Sequence, residues 1–199
     1  GQKLYVQDVG GGFHAEAFGV VADTGVDQLT ALQRAVDFAS ANGSGRLILP
    51  RGTLTIDGTL VLGGTDGSID ALLIQGAEGA FLGNTVLEHA SGQVLNPLIN
   101  VAAVRMLRLS DIRLNGNNDA PASRNGENFR DSNYSNWFTA GVSARRYAPY
   151  AGIAFSALYG SDPGAGSNYT FGSYGQSALA SKVFIERCRI EGFVCGVVI

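Results

Sequence analysis

Hydrolysis of a glycosidic bond takes two carboxylates flanking it, about 5–5.5 or 6.5–9.5 Å apart. The acids of this chain best suited to such a pair are Asp131, Asp162, Glu186 and Glu191. Asp131 and Asp162, like Asp119 and Glu127, lie among Tyr134, Trp137, Tyr147, Tyr150, Tyr159, Tyr169 and Tyr174. Flat aromatic faces suit the apolar C–H faces of sugar rings, and neighbouring acids suit their hydroxyls. Trp137 and Tyr150 are therefore candidate sugar platforms. Arg113 and Arg189 are candidate binders, because a guanidinium can grip a sugar acid with two hydrogen bonds. A β-elimination would instead need a basic Lys or Arg and a cation to neutralise a uronate. Each group also has a plainer role. The aromatics can pin long loops or fill a subunit interface, and the acids and arginines can be solvated or paired with one another.

Other chemistries find little support. His14 and His89 have no partner at motif spacing and are expected at the surface or in loops. Gly10–Gly12 lacks the following Lys-Ser/Thr of a phosphate-cradling loop. Cys188 and Cys195 are seven residues apart with no His or Cys cluster, and are expected to be two buried thiols. No metal site and no cofactor is expected. Asn133-Tyr-Ser and Asn168-Tyr-Thr match glycosylation acceptors, a triplet common by chance. Asp111, in a short break between two alternating segments, is expected to accept backbone N–H groups in a turn.

The composition narrows the class of protein. Of 199 residues, 45% are hydrophobic and 16% charged, which excludes a disordered chain. Fourteen Lys and Arg against 17 Asp and Glu leave a net charge of −3, with no basic excess for a nucleic acid. Apolar runs such as Leu47–Leu49 and Gly196–Ile199 fall far short of the roughly 18 residues a membrane span needs. The 28 glycines are about twice the usual share, as many short strands joined by tight turns would require.

The elements that must position the candidate groups follow from periodicity. Residues 1–22 read as an extended, glycine-rich lead-in. A helix follows, capped by Asp27, with Leu29, Leu32, Ala35, Val36 and Ala39 on one face and Asn42-Gly43 at its end. Short strands are expected at Arg46–Pro50, Thr53–Asp57 and Thr59–Leu62. Leu107–Gly116 can be laid on Val183–Gly192 without a gap, at an offset of 76. Apolar residues coincide at the first, third, sixth and eighth positions, Arg113 falls on Arg189, and both copies close on glycine. Leu72–Gly76 is a degenerate third copy, 35 residues before Leu107. Alternation, a two-residue break and alternation again describe two strands meeting at a bend. Such units stack, because none can bury its own apolar face. Ala151–Phe155 reads as one more core strand between long inserts, about 116–149 and 159–180. Eleven of the eighteen aromatics fall between Phe129 and Tyr174. Loops this long are usually functional or interface-forming.

Ala17–Asp27, then Leu29–Asp37, then Gly43–Gly52 resemble the opening of the pectate-lyase-like right-handed parallel β-helix superfamily. Those proteins begin with an "FGA-x-GDG-x-x-DD" turn, a capping helix carrying "A-I-Q-x-A" and a "G-G-G-x-V-x-L-P-x-G" strand. Ala22 stands where that pattern has glycine, and Gln28 replaces its second aspartate. The resemblance covers about residues 17–62 and implies an all-β fold, a single-stranded parallel β-helix with a short N-terminal capping helix and long loop inserts. The β-helix domain would span 23–199 in about four or five coils. The lack of a polar cap at Cys195–Ile199 leads us to expect a chain cut short at that end.

The resemblance also implies recognition and cleavage of a polysaccharide, by a glycoside hydrolase or polysaccharide lyase, in a secreted enzyme or a phage tailspike. Such a protein is expected outside the cell or on a virion surface, as a homotrimer or covered by further coils. The alternative is a non-catalytic structural or adhesive component. In the superfamily, active sites often lie on the strand after the long inserts. Here Ala154 and Val198 are the outward residues expected there, and neither is an acid. Much of the chemistry is therefore expected from the inserts, further coils or a neighbouring subunit.

Overall fold

A computed structural model describes residues 11–41, 45–62, 69–77, 84–90, 97–101, 104–117, 151–155, 182–193 and 195–198. The first strand, β1 (Phe13–His14), runs into a 3-10 turn at Ala15–Phe18 that Gly19 ends with φ 89°. The loop that follows is tied down by its own polar side chains. Asp23 Oδ1 accepts the Thr53 N–H (2.8 Å), and Gln28 Oε1 accepts the Val21 N–H (2.9 Å). Asp27 Oδ1 accepts both the Leu29 and Asp57 N–H groups (2.9 Å each), so it satisfies the first helical donor while holding the next strand pair. Helix α1 (Leu29–Ala41) buries Leu32, Ala35, Val36 and Ala39, the face its spacing predicts. Residues Asn42 and Gly43 lie outside the described residues.

The strands come in sets of three: β2 (Gly45–Ile48), β3 (Gly52–Ile56) and β4 (Leu60–Leu62), then β5 (Ile69–Gln75), β6 (Thr85–His89) and β7 (Ile99–Val101). The next sets are β8 (Val104–Ser110), β9 (Arg113–Asn115) and β10 (Ala151–Phe155), then β11 (Lys182–Glu186), β12 (Arg189–Glu191) and β13 (Cys195–Val198). β1 pairs in parallel with β2, and from β2 onward each strand pairs in parallel with the strand three later, giving sheets ordered β1-β2-β5-β8-β11, β3-β6-β9-β12 and β4-β7-β10-β13. The described residues are thus mostly β, in three parallel sheets that the chain visits in turn, with one α-helix among them.

Register stacks like on like toward the inside. Leu47, Ile74, Leu109 and Ile185 form one column, Leu54, Leu87, Leu114 and Ile190 a second, and Leu60, Ile99, Ile153 and Val197 a third. Burial is nearly complete in the middle of each column and falls at the last set, where Val183 and Val197 are 37% and 40% exposed. The sequence repeat is this register seen along the chain. Leu107 pairs with Val183, Arg113 with Arg189, and Leu72 with Leu107. The glycines closing both copies also stack: a Cβ on Gly116 would overlap the Gly192 carbonyl oxygen. Gly45 is likewise required, since any side chain there would overlap the Ala39 carbonyl at the helix end.

Two expectations are corrected. His89 is fully buried, not at the surface, because it alternates inward with Leu87 while Glu88 points out. Its Nδ1 lies 3.4 Å from the Ile56 carbonyl oxygen and its ring 6.2 Å from that of Phe193. Ala154 alternates with the inward Ile153, the outward position expected of it, yet it is 3% exposed, and Asn100 beside it in register is 5% exposed. Asp111 is a bend residue with φ 62°, as expected, but its carboxylate partners are side chains. Of the two cysteines, Cys188 is half-buried and free, and its thiol donates toward the Glu186 and Leu109 carbonyls. The Cys195 side chain lies outside the described residues.

Candidate functional site

On the second sheet, alternation sends two rows of side chains outward. One row is Thr53, Val86, Arg113 and Arg189; the other is Thr55, Glu88, Asn115 and Glu191. The second row places two carboxylates on one face with a single strand between them. Strands in a sheet lie about 4.8 Å apart, so the Glu88 and Glu191 Cα atoms are about 9.6 Å apart.

Both acids are tied to that middle strand. Asn115 Nδ2 donates to Glu88 Oε2 (2.6 Å), while Asn115 Oδ1 accepts the Asn117 N–H (3.2 Å), which fixes the carboxamide with its donor toward the acid. Arg113 pairs with Glu191 Oε1, and Arg189 Nη2 lies 2.6 Å from Glu191 Oε2. The Glu191 side chain keeps 26% of its surface exposed, and Glu88 is half-buried, so the row is reachable from solvent. Three candidates from the sequence, Arg113, Arg189 and Glu191, therefore meet in one cluster.

Glu186 does not join them. It lies on the first sheet, where Arg108 Nη2 donates to its Oε2 (2.6 Å) and Arg187 approaches at 4.0 Å. Beside it is the bend between the first two sheets, occupied by Asp111 and Arg187, which stack at the repeat offset with φ 62° and 49°. Arg187 gives Nε to Asp111 Oδ1 (2.6 Å) and Nη2 to Oδ2 (2.7 Å), and Gln75 Nε2 reaches Oδ2 at 3.4 Å. The guanidinium holds the Asp111 carboxyl below the usual carboxylate range, against the opposing effect of burial. The same pairing raises the affinity of Arg187 for its proton.

Asp131, Asp162, Trp137 and Tyr150 lie outside the described residues. Glu88 is the group that sequence reasoning passed over. No repeat aligns it, since β6 reaches β9 at an offset of 27 while β9 reaches β12 at 76. The usable signal was Thr85–His89 itself, a short run with strand-favouring Thr, Val and Leu that carries one acid. Among the described residues no group of three or more His, Cys, Asp or Glu is placed to hold a metal ion, and no helix is long and apolar enough to cross a membrane.

No known family profile matches this chain, and no curated protein matches it. Among solved structures, one described as the catalytic domain of Agl-KA is similar over 78% of this chain, with 22% identity and a TM-score of 0.52. The chain spans 22% of the length of that structure. At this identity the likeness is one of fold.

Proposed function

We propose that the chain is part of a right-handed parallel β-helix that binds a polysaccharide and hydrolyses it on the second sheet. Handedness follows the strong rule for parallel crossovers, and the helical path follows from each strand, from β2 onward, pairing with the one three later. The observation that carries the cleavage reading is the Glu88–Asn115–Glu191 row. The two Cα atoms stand about 9.6 Å apart, and because both side chains lean on the strand between, their carboxyl groups are drawn toward the roughly 6.5–9.5 Å that leaves room for a water beside the scissile bond, the arrangement of an inverting hydrolase. Glu191, lying between two guanidiniums, is assigned the base. Glu88, whose partner is a neutral amide, is assigned the proton donor. The resemblance over residues 17–62 supports the same reading, and with it a role outside the cell, where such polymers occur. The homotrimer and the parts of Asp131, Asp162, Trp137 and Tyr150 belong to the same proposal.

A second reading has its own support. Glu191 and Glu88 are both already paired across strands, as they would be in a ladder that only ties successive circuits together. In that case the chain is a non-catalytic structural or adhesive component. The two readings separate in one assay. The protein is incubated with a panel of neutral and acidic polysaccharides while reducing ends and the absorbance of unsaturated uronate are followed. Hydrolysis is expected to yield reducing ends without that absorbance. Glu88→Gln and Glu191→Gln are each expected to lower the rate by at least about a hundredfold, the scale of a lost general acid or base. Unchanged rates in both variants, with folding intact, would remove this row from the mechanism.

A further inference from the structure

The first sheet carries a basic depression that the row on the second sheet does not use. It encloses about 300 Å³ and is lined by Arg46, Leu73, Gln75, Arg108, Ser110 and Arg187. Register builds it from two outward ladders, Arg46–Leu73–Arg108–Phe184 and Ile48–Gln75–Ser110–Glu186. Three guanidiniums here meet two carboxylates. Arg108 bonds Glu186, and Arg187 bonds Asp111 through both of its oxygens. Arg46 is different: its Nε (3.1 Å) and Nη2 both donate to Gln75 Oε1, a neutral amide oxygen. Among the described residues Arg46 faces no acid, and the depression holds an excess of one positive charge. Lys182, on the next outward position of β11 beside Met106, adds another to the same face.

An oxyanion has a clear advantage at such a place. Charge-assisted hydrogen bonds are about twice as strong as neutral ones, and a guanidinium accepts a carboxylate or sulfate in a fork. The Gln75 oxygen is therefore a partner that an incoming anion can displace. At the far end of the same ladder Phe184 is 46% exposed, in register with Arg108. A flat apolar ring and an acid-free guanidinium thus stand three strands apart, about 14 Å. No single sugar bridges that distance, but a chain of several sugars lying across the strands does.

We propose that this depression is a holding subsite for an acidic glycan, one anionic group on Arg46 and a later sugar ring on Phe184. The proposal rests on the reading of the protein as glycan-active and adds the substrate's charge and a binding surface on a different sheet from the cleavage row. It is tested with the full chain carrying Glu88→Gln, so that ligand is not consumed, by calorimetric titration. The probes are an oligouronide, a sulfated oligosaccharide and a neutral oligosaccharide of equal length, together with inorganic sulfate.

Binding of either acidic oligosaccharide is expected, weakened at least about tenfold by Arg46→Gln and by Phe184→Ala, with unchanged circular dichroism. Which acidic probe binds identifies the anion as carboxylate or sulfate. Equal binding of the neutral probe, or affinity unchanged in Arg46→Gln, overturns the proposal. So does inorganic sulfate binding at Arg46 without binding of either acidic oligosaccharide. Cleavage is measured separately with Glu88 intact. Arg46-dependent binding without cleavage leaves the subsite standing and removes the hydrolase reading, and cleavage without acidic-ligand binding does the reverse.

Discussion

The two copies of the repeat offer one test of how the stack is held together. Leu114 and Ile190 occupy the same repeat position and pair in register, yet Leu114 is 2% exposed and Ile190 is only half-buried. Leu114 has Leu87 on one side, itself 1% exposed, and Ile190 on the other. Replacing Leu114 by Ala removes transfer energy and leaves a cavity whose walls are hydrogen-bonded strands at fixed spacing. Such a site collapses poorly, which places Leu114→Ala in the middle to upper part of the Leu→Ala range, about 3–4 kcal/mol. Ile190→Ala loses part of an already wet surface and leaves no closed cavity, so about 1–2 kcal/mol is expected. Urea unfolding followed by far-ultraviolet circular dichroism measures both, with an unchanged slope showing that the same surface unfolds. Equal losses in the two variants, within about 0.5 kcal/mol, would refute the reasoning, because the last strands would then be as well covered as the middle ones.

Other expectations concern single groups. Gly116→Ala is expected to lower the unfolding midpoint sharply, because its Cβ would meet the Gly192 carbonyl and part β9 from the strand stacked on it; a midpoint within error of the parent would show that the two circuits can separate freely. The depressed Asp111 carboxyl gives stability that is fully present above its unfolded value of about 3.9 and is lost as pH falls through the lower folded value. The stability gap between the parent and Asp111→Asn should therefore be constant above about pH 5 and shrink below it; a gap that does not change with acid contradicts the assigned ion pair. Burial pushes the Cys188 thiol above its ordinary pKa. In a Cys195→Ser background it should react with a disulfide reagent at about pH 8 at least tenfold more slowly than free cysteine, and equal rates would show an exposed thiolate.

How far the sequence could be read depends on which interaction each feature rests on. The helix face at Leu32, Ala35, Val36 and Ala39 and the strands at Gly45–Ile48, Gly52–Ile56 and Leu60–Leu62 were legible, because burial on one side imposes a local period. The pairing of Leu107 with Val183 and of Arg113 with Arg189 was legible too. There the bend has the same length in both copies, so stacking imposes the same spacing on each. The glycines closing both copies were visible in the sequence as well, but their reason, a backbone approach that forbids a Cβ, appears only in the structure.

Only the tertiary structure decided what stands beside what across circuits. Glu88 reaches Asn115 over 27 residues, and Arg46 reaches Gln75 over 29. Those separations depend on loops of unequal length, which no local period encodes. The partition of Glu186 and Glu191 was half legible, since the two-residue break in the repeat already sets them on two strands meeting at a bend. Five residues apart along the chain, they sit on two different sheets, because a left-handed residue at Arg187 turns the backbone between them. Asp111 shows the limit most plainly. Its place in a bend was readable from its type and neighbours, but its partner, Arg187, lies 76 residues away and meets it only because the strands flanking the two bends pair in register.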